Sequence, residues 1–116
     1  MIRPGLVRVR GRSMEPTLRD GQLLVVLYGR RARPGDVVLV DLPPDADGRP
    51  RPRAVKRLAG PDPQAPDRLW IERDNPREGV DSWSIGSLPR SALVAVVLMR
   101  RDRTCGGGVR AGEPGA

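Results

Sequence analysis

Gln22-Leu23-Leu24-Val25-Val26-Leu27-Tyr28 and Val37-Val38-Leu39-Val40-Asp41-Leu42 are two short apolar runs, and between them stands Arg33-Pro34-Gly35-Asp36. Short runs rich in valine and leucine, bounded by a proline–glycine turn, form strands rather than helices. They read as two neighbouring strands. Upstream, Leu6-Val7-Arg8-Val9-Arg10 alternates apolar and charged residues with period two and breaks at Gly11, as a half-buried strand does. Downstream, Arg53 to Leu58 reads as a strand with Ala54, Lys56 and Leu58 on one face, and Leu69-Trp70-Ile71 as a short strand ending in the turn Asp74-Asn75-Pro76. Ala92 to Met99 supplies a last strand that closes the sheet. The proline-bearing stretches Pro43–Pro52 and Gly60–Asp67 are expected as connecting loops.

The chain has 116 residues, 13 of them proline and 14 glycine, and these interrupt every stretch long enough for an extended helix. The fold class is therefore all-β, or mainly β, in a single domain. With 38% apolar residues and no phenylalanine, its core must be built from Val, Leu, Ile and Ala. Residues 1–103 are expected to form that domain. Residues 104–116 turn to Gly, Arg and Pro without periodicity and are expected to be a disordered tail.

Several function classes are disfavoured by composition. The single Cys105 and the absence of histidine leave no nitrogen or sulfur set for a metal, so neither metal nor cofactor is expected. No apolar run approaches the roughly 20 residues of a membrane span, so no transmembrane segment is expected. No secretory signal follows Met1, and the expected compartment is the cytoplasm. The net charge of +7 raises nucleic acid as a partner, but the charge sits at the ends: +4 over residues 1–12, +2 over 99–116 and only +1 between. With two Trp, one Tyr and no Phe, little aromatic surface exists for stacking bases. No nucleic-acid partner is expected.

Of the 21 basic residues, Lys56 alone is a lysine. Arginine stays protonated under ordinary conditions, so Lys56 is the one side-chain nitrogen able to act as a base near neutral pH, provided burial lowers its pKa. Ser13 follows Gly11-Arg12 where the first strand ends, and a serine needs such a base to become a nucleophile. The competing reading makes Ser13 a cap for a short helical turn starting near Pro16.

Gly11-Arg12-Ser13-Met14-Glu15-Pro16-Thr17-Leu18 resembles the G-x-S-M-x-P-T-L nucleophile box of the signal peptidase I family of Ser-Lys endopeptidases. Three further stretches resemble family boxes in order: Pro34-Gly35-Asp36-Val37-Val38; Val55-Lys56-Arg57-Leu58-Ala59-Gly60; and Arg73-Asp74-Asn75-Pro76 with Asp81-Ser82. Within the family the likeness is to the small proteases that mature nickel-type superoxide dismutase. The resemblance implies coiled antiparallel sheets or a distorted β-barrel, a Ser13–Lys56 dyad, and a partner that is a precursor protein with an N-terminal leader, the nickel-type superoxide dismutase precursor. It implies that Gly11, Met14 and Pro16 form the oxyanion site and substrate cleft, with the Ser13 N–H and backbone near Gly11 as oxyanion donors. Arg57, Asp74, Asp81 and Ser82 would support the site, with Asp74 and Asp81 pairing with Arg57 or ordering the loop near Lys56. Departures are Arg73 where the family often has Gly, Gly79 where it has Ser, and Trp83 where it has Arg. Alternatives are a general leader peptidase without its own anchor, a self-cleaving domain like that of LexA-like repressors, and a non-catalytic β module binding an acidic partner or RNA. The self-cleaving reading calls for a scissile pair ahead of the serine, and 12 residues precede Ser13.

Overall fold

The computed structural model describes residues 1–98. The expectations for residues 104–116, the boundary at 103 and the end of the 92–99 run lie outside them. Seven strands form one antiparallel sheet curled into a half-barrel: β1 (Arg3–Arg8), β2 (Leu23–Tyr28), β3 (Val37–Val40), β4 (Ala54–Asp62), β5 (Ala65–Glu72), β6 (Leu88–Pro89) and β7 (Leu93–Val97). The order across the sheet is β1-β2-β7-β3-β4-β5-β6. The mainly β, single-domain reading holds.

The two runs that decide the fold are strands, but they do not pair with each other. β7 lies between them, pairing Val26 with Val97 on one side and Val38 with Val96 on the other. Each run needs a partner, and the last strand serves both. The difference between the runs shows in burial. β2 buries Leu24 and Val26 while Leu23 and Val25 stay exposed, whereas all four residues of β3 are buried. A strand covered on both faces has no polar side to display, hence its unbroken apolar run. Val37 and Leu39 enter one aliphatic cluster with Val9, Met14, Leu18 and Val26, and Val38 and Val40 enter a second with Leu58, Ile71 and Val96.

The turn at Arg33–Asp36 is closed by the Asp36 N–H donating to the Arg33 carbonyl (3.0 Å), with Gly35 at φ 93°. The stretch 60–67 differs from its reading as a loop. β4 continues to Asp62 and β5 begins at Ala65, leaving Pro63-Gln64 as the connection. Pro61 is tolerated because β3 pairs with β4 only at Ala54–Arg57, so the missing N–H faces an unpaired edge. Three short elements were not expected: α1 (Ser82–Ile85), β6, and a 3-10 turn at Arg90–Ala92 that takes Ala92 out of the last strand. Among the described residues no helix is long and apolar enough to cross a membrane.

Candidate active site

Ser13 lies in the turn that follows β1, held from both ends. The Glu15 N–H donates to the Arg12 carbonyl (3.2 Å) and the Leu18 N–H to the Met14 carbonyl (2.9 Å). Met14 and Leu18 anchor this turn in the first core cluster, each 1% exposed. From the far side, the Asn75 N–H donates to the Ser13 carbonyl (2.8 Å) and the Asn75 Nδ2 to the Arg12 carbonyl (2.9 Å). Ser13 Oγ caps no backbone N–H among the described residues, which removes the helix-cap reading.

Lys56 sits on β4 opposite Val38 of β3 and is 3% exposed. Its pKa falls from 10.5 to about 8, first because burial penalises the ammonium; the Asp81 carboxylate pulls it up and the Arg73 guanidinium pushes it further down. Among the described residues no carboxylate forms an ion pair with it. The nearby acids are occupied. Asp74 takes the Arg57 Nη2 (2.6 Å) and Nε (3.3 Å) and the Thr17 hydroxyl (2.6 Å). Burial raises the Asp74 pKa, but those hydrogen bonds outweigh it and hold the carboxyl below the usual carboxylate range. Asp81 accepts from the Trp83 N–H (3.1 Å) and the Arg73 N–H (3.2 Å), and the Arg73 Nε stands 3.6 Å away.

Ser13 and Lys56 meet at Gly79. A Cβ on Gly79 would fall 2.9 Å from Ser13 Cβ, 3.7 Å from Ser13 Oγ and 3.3 Å from Lys56 Nζ. The hydroxyl and the amine therefore flank one point, and only a residue without a side chain leaves that point open. Gly79 also has φ 78°, where glycine is at home. The Arg73 guanidinium holds the loop there by donating to the Gly79 carbonyl and to the Glu78 carbonyl (3.4 Å). Ser13, Lys56 and Gly79 line a cleft of about 590 Å³ between β1 and β4.

The remaining expected residues divide. Gly11 lines the cleft, but its N–H donates to Asp20 Oδ1 (2.8 Å) and is not available to an oxyanion. The Ser13 N–H has no acceptor among the described residues. Met14 both lines the cleft and fills the core. Pro16 lines a separate depression with Arg12, Glu15 and Asn75 rather than the cleft that holds Lys56. Arg57 pairs with Asp74, whereas Asp81 pairs with Arg73. Ser82 is buried with its Oγ accepting from the Ile71 N–H (2.9 Å), which fixes α1 to β5. Trp83 stacks edge-on against Trp70 at 5.2 Å and donates to Glu72.

Arg73 and Asn75 do more at the site than their sequence suggested, one clamping the Gly79 loop and the other fastening the serine turn. Among the described residues no group of three or more His, Cys, Asp or Glu side chains is placed to hold a metal ion. Residues 4–77, more than half the chain, match the sequence model of the Peptidase S24-like family. No curated protein matches the chain.

Proposed function

Because the chain belongs to the Peptidase S24-like family, we propose that it is a serine endopeptidase working through a Ser13–Lys56 dyad. The observation that carries this reading is the convergence of Ser13 Oγ and a buried, unpaired Lys56 Nζ on the space that Gly79 leaves vacant. In the proposed cycle Lys56, neutral, takes the proton of Ser13 Oγ as that oxygen attacks a peptide carbonyl, and returns it to the leaving amine. The free Ser13 N–H is one donor for the resulting oxyanion. Water then enters and attacks the acyl carbonyl as it loses a proton to Lys56, and the carbonyl–Oγ bond breaks as Lys56 returns that proton to Ser13, freeing the acid and restoring the neutral amine.

The substrate proposed from the signal peptidase I resemblance is a cytoplasmic precursor with an N-terminal leader, the nickel-type superoxide dismutase precursor. Incubating wild type and Ser13→Ala with that precursor and reading its N-terminus by mass spectrometry tests both halves. Leader loss with wild type alone supports them; an intact precursor in both samples removes the substrate. A second reading, cleavage of the protein's own chain as in LexA-like repressors, draws support from the family match. Intact mass of the protein held alone at pH 9 distinguishes it, since self-cleavage needs no added precursor.

A further inference from the structure

The cleft that holds Ser13 and Lys56 is lined by arginines on both sides. Arg8, Arg10 and Arg12 stand two residues apart along the end of β1 and the segment beyond it, and Arg51 and Arg53 precede Lys56 on the opposite wall. Glu78 is the one acidic residue in the lining. Little of this charge is neutralised. Arg10 has no hydrogen-bond or ion-pair partner among the described residues, and Arg8 and Arg51 donate only to backbone carbonyls, of Gly21 (2.7 Å), Pro43 (2.9 Å) and Pro44 (3.2 Å). Arg12 approaches Glu15 only to 4.0 Å, and Arg53 alone has a close carboxylate, Asp41 at 2.8 Å, on a surface where such pairs are weak.

We propose that this cleft selects peptide segments carrying aspartate or glutamate close to the scissile bond, with the arginines of the two walls as the specificity determinants. The proposal rests on the endopeptidase reading and names its substrate class. Carboxylates suit the site because guanidinium groups give charge-assisted hydrogen bonds to them and because a cleft of one sign concentrates the opposite charge. Nucleic acid fits less well. Tyr28, half-buried, is the single aromatic in the lining, so bases would have no platform on which to stack.

The test titrates Ser13→Ala protein into fluorescein-labelled eight-residue peptides of alternating Ala-Asp, Ala-Asn or Ala-Arg and reads anisotropy. The Ala-Asp peptide is expected to bind about tenfold more tightly than Ala-Asn, with the advantage shrinking as salt rises. Arg10→Glu with Arg12→Glu should reverse the order in favour of Ala-Arg. Arg10→Gln, which breaks no contact, should weaken Ala-Asp alone by about threefold and keeps the test valid if the double variant misfolds. Equal binding of the three peptides, a preference untouched by both variants, or tighter binding of a single-stranded oligonucleotide would overturn the proposal. Wild-type protein that cuts a leader without regard to charge would sink the selectivity and spare the peptidase. Ala-Asp selectivity in a protein that cleaves nothing would do the reverse.

Discussion

In the proposed dyad Lys56 would act through its environment, because an ordinary lysine ammonium holds its proton until about pH 10.5 and burial lowers this one to about 8. Only the neutral amine can accept the serine proton, so kcat/KM is expected to rise with pH through about 8 and level off above it. A profile flat from pH 6 to 9 would exclude Lys56 as the base. Lys56→Arg should be inactive at every pH, since a guanidinium cannot become neutral there. Stability follows the same shift. The unfolded lysine binds its proton more tightly than the folded one, so the buried charge destabilises the fold in full below pH 8, and less as pH climbs toward 10.5. Lys56→Met should therefore be dead but more stable by roughly 1–3 kcal/mol at pH 7, with the gain fading toward pH 10.5, as thermal melts at several pH values would show. Ser13 and Lys56 stood out in the chain as candidates because one lysine and one serine box left few choices, and the fold brings the two side chains to the same point. The unavailability of the Gly11 N–H was not legible there, since its acceptor Asp20 lies across a turn whose course no local pattern reveals.

The segment from Arg73 to Asp81 is the element that brings the two halves of the site together. It leaves β5, ties to the serine turn through Asn75, to β4 through Asp74 and Arg57, and passes between Ser13 and Lys56 at Gly79. Gly79→Ala would put a methyl against Ser13 Cβ and at 3.3 Å from Lys56 Nζ. Activity should fall by about 10–100-fold as the reacting groups are displaced, and the fold should lose roughly 1–2 kcal/mol as well, because alanine is strained at φ 78°. Wild-type turnover in that variant would show that the loop does not govern the geometry. Asp74→Ala leaves the part-buried Arg57 without its carboxylate and should cost about 2 kcal/mol at pH 7. That contribution belongs to the ionised acid, so denaturant melts should show it vanish as pH drops below the depressed Asp74 pKa. A four-residue helix such as α1 is too short for a periodic signal. Its cap was visible only as Asp81 ahead of Ser-Trp-Ser-Ile, which equally describes a polar turn.

Topology at the scale of the whole molecule explains why two correctly read strands were given the wrong neighbour. Sequence order suggests that β2 and β3 pair across the Arg33–Asp36 turn, yet β7, from the far end of the described chain, lies between them. Nothing in a strand's own residues specifies which of several apolar partners it takes; that is settled by where the two core clusters can both be closed, and β7 contributes Ala95 and Val97 to one and Val96 to the other. The sheet without β7 would be two fragments, β1-β2 and β3-β4-β5-β6, with no hydrogen bonds between them and one cluster opened on each side. A two-stranded hairpin is marginal in water, and Ser13 hangs from the end of that hairpin while Lys56 belongs to the other fragment. A chain ending at Arg90 should therefore lose its cooperative thermal transition and, with it, all cleavage. Circular dichroism against temperature checks the first, and a single sharp transition in the shortened chain would mean that loops 73–81 and 9–22, rather than the central strand, hold Ser13 and Lys56 in register.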